Sequence, residues 1–255
     1  MGGSGLYRFA RNNGFLYIDP VGQRVVVMGA RTWHQYQAEY AGRVSEGTAQ
    51  FAEKVMSALQ AGVEGKDPTS GKHVKCLELF LAPPVGSGPF IKYWEIKYRA
   101  GADQNVESCR NCPNVKRLKE LFDSQSVVSI YHTDFRGLNS SHHPIPIGGE
   151  DTNVHVDPNV SVPLPTQGPG GTQGPDKPTG FGPVLWHEAV GHAGLRIGGA
   201  PSSHPKEPWN QYGASDARTD PIIGIENEYR GWVGEALRYG KYHARSSEQG
   251  KCCPE

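Results

Sequence analysis

Pro183-Val-Leu-Trp-His187-Glu188-Ala-Val-Gly191-His192-Ala-Gly-Leu195 is the stretch on which the fold of this chain turns. Pro183 suits the first turn of a helix, where its missing N–H has no intrahelical partner to lose. The two histidines stand five residues apart. In a straight α-helix that spacing turns His192 about 140° away from His187. A π-bulge holds one extra residue in the turn and brings the two rings back onto one face. Gly191 is the natural place for it, since glycine tolerates the altered backbone.

Two histidines on one helix face, with a glutamate after the first, are a stretched form of the HExxH pattern of zinc hydrolases. In that scheme His187 and His192 hold Zn2+, and Glu188 is the general base that takes a proton from zinc-bound water. The plainer explanation is chance, because a histidine on a helix is more often a core or surface residue than a ligand. A third ligand would decide between them.

Glu226, within Ile225-Glu-Asn-Glu-Tyr-Arg230, is the first candidate. A helix with Asp220 as N-cap and Pro221 in its first turn is expected to run to about Tyr239. Its buried stripe comprises Ile222, Ile225, Tyr229, Trp232, Val233 and Ala236. Glu226 lies about 60° from the centre of that stripe, against about 100° for Glu228 and 120° for Glu235. A carboxylate among apolar neighbours needs a compensating charge. Either a metal ion or Arg230, one turn on, supplies it, so the alternative to a ligand role is an intrahelical Glu226–Arg230 ion pair. With Glu226 as ligand, Arg230 supports it from behind. Asp216, Glu228 and His204 are the reserve candidates. Three protein ligands leave a fourth position open, as a catalytic zinc requires. Tyr212, Tyr242 and His243 are candidate donors to a developing oxyanion.

The chain has 255 residues, with 26 Lys+Arg balanced by 26 Asp+Glu. That length suffices for one large domain or two small ones. Balanced charge offers no footprint for nucleic acid or an anionic membrane. No apolar run approaches the roughly 18 residues of a membrane span. The N-terminal MGGSGLYRFARNNG lacks the apolar centre of a signal peptide. If the protein leaves its cell, a dedicated machine carries it, or the chain is a piece of something larger. Five cysteines, at 76, 109, 112, 252 and 253, are compatible with a small zinc knot, with one or two disulfides, or with unlinked thiols.

Along the chain, Phe15-Leu-Tyr-Ile-Asp19 and Arg24-Val-Val-Val-Met28 predict two short strands around a turn at Pro20–Gly22. Residues 31 to 59 turn helical, as two helices broken near Gly47, with Phe51, Val55, Met56 and Leu59 forming an apolar stripe. Strands are expected at 73–82, 91–99 and 127–132, and a basic helix at 115–122. Residues 157–183 are so rich in Pro and Gly that a long surface loop in front of the motif helix is expected. Strands first and ligand helices late indicate an α+β fold, a small sheet against which the motif helix packs.

Two resemblances add to this. HEAVGHA (187–193) followed by ENEYR (226–230) resembles the effector-type bacterial zincins, metallopeptidase domains of secreted and polymorphic toxins. There a helix with HExxH or HExxGH precedes a helix with ENxxR, and Glu226, Asn227 and Arg230 match the second motif. The likeness is best over about 145 to 240. HEAVGH is also similar to the stretched motif of the modulator-of-gyrase proteases, whose downstream metal-site region is not visible here. Near the N-terminus, Gly5-Leu-Tyr-Arg-Phe-Ala-Arg-Asn-Asn13 and Tyr17-Ile-Asp-Pro-Val-Gly22 resemble the junction where Rhs-repeat shells end and toxic tips begin. An ordinary strand–turn–strand with a DPxG turn is the simpler account of those residues.

The resemblances imply residues 1–30 as the end of an Rhs-like junction plus a first hairpin, and 31–255 as one zincin-like toxin domain. They imply a zinc metallopeptidase acting as an antibacterial or host-directed toxin on a protein or peptide. Its shell and secretion apparatus would deliver it into a target cell, and a cognate immunity protein would block it. A zinc amidase or deacylase on a non-protein substrate, and a non-catalytic binding domain with structural histidines, are the alternatives.

Overall fold

The structure, a computed structural model, describes residues 24–31, 49–67, 70–84, 93–133, 140–142, 152–200 and 220–239. Strand β1 is Arg24–Arg31, and Val25, Val26 and Val27 are all buried. Such an unbroken apolar run is what a strand covered on both faces needs. Helix α1, Ala49–Ala61, buries Phe51, Val55 and Leu59 of the expected stripe together with Ala52, while Met56 is half-buried. Two short strands, β2 (Glu64–Lys66) and β3 (His73–Lys75), pair as a small antiparallel ribbon. The chain continues through β4 (Leu77–Leu81), β5 (Trp94–Ala100), α2 (Glu107–Arg110), α3 (Pro113–Asp123) and β6 (Val127–Thr133). Strands β7 (Ser140–His142) and β8 (Thr152–Val156) follow.

Six of these strands make one mixed sheet in the order β4-β5-β1-β6-β8-β7. β1 runs antiparallel to β5 and parallel to β6, and β6 runs parallel to β8. A domain boundary drawn at residues 30 and 31 therefore falls inside a central strand. The rest of the Rhs-like stretch, the Phe15–Asp19 strand and the helix expected before Gly47 lie outside the described residues. The fold is α+β, with a small mixed sheet and several helices, as expected.

Residues 157–183 depart from the loop expected there. Val162–Gln167 (β9) and Gln173–Thr179 (β10) form an antiparallel hairpin whose tip is a single 3-10 turn at Pro169–Gly171. Pro163 and Pro178 face each other in register, and β10 is an edge strand of the hairpin sheet. Proline is tolerated at an edge, where no ladder partner needs its missing N–H. Composition alone is blind to that register.

After the hairpin, α4 (Phe181–Leu185), a π-helical stretch (Trp186–Ala193) and α5 (Gly194–Ile197) run on as one motif helix. It packs against β7, β8 and the last helix, α6 (Pro221–Val233). Trp186 pins it in the core. Its ring is fully buried, stacks on Tyr229 at 5.0 Å, and donates its indole N–H to Ala58 O at 3.2 Å. A Cβ on Gly62 would sit 2.0 Å from that ring, so only glycine admits it.

Asp220 caps α6 as expected, accepting from the backbone N–H groups of Ile222 (3.0 Å) and Ile223 (3.3 Å). The helix stops at Val233, six residues short of Tyr239. Gly234 adopts φ 78°, and Glu235 N donates back to Arg230 O at 2.8 Å. That left-handed residue with a six-residue return bond is the common glycine stop of helices.

Cys76 and Cys109 form a disulfide, and Cys112 is buried and unbridged. The pairing thus runs across the CxxC rather than within it. Cys252 and Cys253 lie outside the described residues.

Candidate metal centre

The motif helix supplies the first three side chains. Across the π-helical stretch His187 and His192 meet, ring centroids 4.9 Å apart and nearly perpendicular. The wider π turn achieves what the single expected bulge was meant to do, over eight residues rather than one. Gly191 sits within it for a different reason from the one expected. Its φ is not unusual; instead, a Cβ there would meet Ile222 Cγ2 at 2.9 Å, so glycine lets α6 close onto the motif helix. Ligand atoms of His187, Glu188 and His192 all lie within 4.8 Å of one another, and the group is able to hold a metal ion. Its donors, imidazole nitrogens and a carboxylate, suit a borderline divalent cation.

Glu226 is not part of that group. It is 1% exposed, and both of its oxygens are engaged. Oε1 accepts from Arg230 Nε (2.8 Å) and Nη2 (2.7 Å). Oε2 accepts from His187 Nδ1 (2.9 Å) and Arg238 Nη1 (2.7 Å). The expected third ligand is therefore a hydrogen-bond partner of His187, and the Glu226–Arg230 pair that stood as the alternative is present. Because a carboxylate only accepts, His187 holds its proton on Nδ1, leaving Nε2 as the electron-pair donor.

Arg230 spans further contacts: Nη2 donates to Thr179 Oγ1 at 2.9 Å, and Nη1 to Glu235 at 3.3 Å. Asn227 points the other way. Its Nδ2 donates to Arg238 O (3.0 Å), and its Oδ1 accepts from Arg238 N (2.7 Å). Glu228 pairs with Arg117 through two bonds of 2.9 and 3.2 Å, which ties α6 to α3. That occupies the reserve candidate Glu228. Asp216, His204, Tyr212, Tyr242 and His243 lie outside the described residues.

The two carboxyls have opposite electrostatics. Burial pushes Glu188 up to about 8; the nearby Glu226 charge adds to this, and Arg238 and Arg196 pull against it. Burial also opposes the charge of Glu226, yet Arg238, His187 and Arg230 hold it well below the usual carboxylate range. The folded chain thus favours the neutral form of Glu188 and the charged form of Glu226. Arg196, half-buried, donates to Thr152 Oγ1 at 3.4 Å.

Arg238 and the clamp by Asn227 were missed at the level of sequence. One signal was available, since asparagine in the middle of a helix usually spends its side chain on backbone groups.

These residues define an α+β chain with a His–Glu–His group, His187 and Glu188 buried and His192 half-buried, backed by an Arg–Glu–Arg cluster. Compared with known proteins, the chain matches no family model, no curated protein and no solved structure.

Proposed function

We propose that the chain is a zinc metallopeptidase in which His187 and His192 hold the ion and Glu188 is the general base. The observation that carries this is the meeting of the three ligand atoms on one π-helical turn, with the Nδ1 of His187 already committed to Glu226. When bound, zinc supplies a Lewis acid that polarises a carbonyl and acidifies water. Glu188 then takes a proton from the attacking water and passes it to the leaving amine. Burial raises the proton affinity of the Glu188 carboxylate, which makes its charged form a stronger base toward that water. Glu226 acts through His187, fixing the ring and its tautomer, as carboxylates behind metal-binding histidines do. Arg230 balances Glu226.

The zincin likeness of the fold, and the toxin context, belong to the same proposal and rest on the motifs at 187–193, 226–230 and 5–22. In it the substrate is a protein or peptide. The chain is delivered into a target cell as the tip of an Rhs-type shell by a secretion apparatus, and an immunity protein restrains it. No helix among the described residues is long and apolar enough to cross a membrane.

Elemental analysis of the purified chain is expected to find one zinc per molecule. Wild type, expressed in a bacterial host in the cytosol and in exported form, is expected to arrest growth in at least one compartment, and Glu188→Ala in neither. Protein without stoichiometric zinc removes the metal claim. Equal growth of both strains in both compartments removes the toxin claim.

A further inference from the structure

Arg238 reaches the site from outside both the motif helix and α6. It is 3% exposed, and an arginine so buried stays charged and needs an anion. Arg230 already neutralises Glu226 at Oε1 with two nitrogens. Arg238 binds the other oxygen, the one that also receives His187 Nδ1. Its own Nη1 lies 3.5 Å from that nitrogen. A guanidinium has no lone pair to offer, so Arg238 does not compete with Glu226 for the Nδ1 proton.

The backbone at Arg238 is fastened from two directions. Asn227 grips its N–H and C=O from α6. The neighbouring residues join β9: Gln167 N donates to Leu237 O, and Tyr239 N donates to Pro165 O, both at 2.8 Å. Thr166 and Arg238 form an antiparallel bridge between them. The Pro/Gly hairpin is thereby connected to the candidate metal centre by an isolated antiparallel bridge.

We propose that Arg238 is a positioning residue for this centre, delivered by Asn227 and β9. It holds Glu226 Oε2 in place, so that His187 keeps its proton on Nδ1 and offers Nε2 to the ion. The inference rests on the metal site proposed above. It is distinct from charge balance, because without Arg238 the carboxylate still has Arg230. What it loses is the second anchor that stops Oε2 from turning away.

The test uses the purified chain and three variants: Arg238→Ala, Arg238→Lys and Asn227→Ala. Zinc affinity is read by competition with a chromogenic chelator. The His187 tautomer is read by nitrogen-15 NMR on chelator-treated protein, a signature that merely structural damage does not shift selectively. Wild type is expected to show the Nδ1–H form alone. Arg238→Ala and Asn227→Ala are expected to show mixed tautomers and to bind zinc about 10–100-fold more weakly, with partial recovery in Arg238→Lys. Should Arg238→Ala fail to fold, Asn227→Ala decides, since Asn227 bonds the Arg238 backbone and its loss removes no group that touches His187 or Glu226. Wild-type tautomer and zinc affinity within about two-fold of wild type in the folded variants overturn the proposal, given the 10–100-fold loss otherwise expected. Wild type that binds no zinc, yet shows the same tautomer loss in the variants, sinks the metallopeptidase reading and leaves the positioning role standing.

Discussion

His187 Nδ1 and Glu226 Oε2 lie 2.9 Å apart and join the motif helix to α6 through the core. The pair accounts for the ENxxR motif in physical terms. Glu226 accepts from the histidine, Asn227 grips the backbone of Arg238 beyond the helix, and Arg230 balances the carboxylate.

Replacing Glu226 with glutamine keeps the shape and removes the charge. Arg230 and Arg238 then both lose the carboxylate they bind at 2.7 Å, with Glu235 at 3.3 Å left to Arg230, which is expected to destabilise the fold by about 3–5 kcal/mol. The urea midpoint should fall with the slope unchanged. An unaltered midpoint would mean that the cluster carries no net stabilisation.

Gly191→Ala pushes a methyl against Ile222 Cγ2, 2.9 Å from the ideal Cβ position. Overpacking of this kind costs about 1–3 kcal/mol. Pairing it with Ile222→Ala opens room, so the double variant should lose less stability than the sum of the two singles. Strict additivity would show that the contact between the helices is not tight.

Glu188 predicts a pH dependence for protein stripped of metal. Its folded value, about 8, lies above the ordinary carboxyl value of 4.5, so the folded state keeps a proton that the unfolded chain has released. The resulting stability is fully present below about 4.5 and is lost as pH rises through about 8. Glu226 works the opposite way, its charge favouring the fold above its usual range, and its window lies below 4.5. Thermal midpoints of chelator-treated protein should therefore drop from pH 5 to pH 8. Glu188→Gln should flatten that drop; an equal slope in the variant would assign it to another group.

The Cys76–Cys109 disulfide closes a loop of 33 residues in sequence. Chain entropy puts its removal at about 3–4 kcal/mol. A Cys76→Ala, Cys109→Ala variant should unfold at lower denaturant than wild type in the absence of reductant. The two proteins should converge once reductant is added. Persistent separation would point to lost packing rather than lost cross-linking.

Much of the site is legible in the sequence because helical geometry is local. The five-residue spacing of His187 and His192 already demands a π turn, and Asp220-Pro221 already marks the start of α6. The stripe Phe51, Val55, Leu59 is legible for the same reason. What escapes is set by distant partners. Glu226 looks like a ligand on a helical wheel, which shows its angle but not the second arginine arriving from residue 238. That arginine is hidden because apolar periodicity runs on through Ala236, whereas Gly234 ends the helix by its backbone conformation. The prolines of 163–178 announce a loop until their register is known, and no spacing rule joins Cys76 to Cys109.

The position of β1 has a consequence for the smallest piece of this protein that can work. Every side chain of the proposed centre lies between residues 152 and 239, so a truncated catalytic core beginning after β5 is tempting. Such a piece would lack β1, and with it the partner of β6 across the register Val25–Val128 and Val27–Ile130. Val128 and Ile130 are fully buried. Without β1 they would form a bare apolar edge, prone to pair with other chains before the late helices dock. The proposed activity is thus contingent on a strand that ends more than 150 residues before the first histidine of the motif.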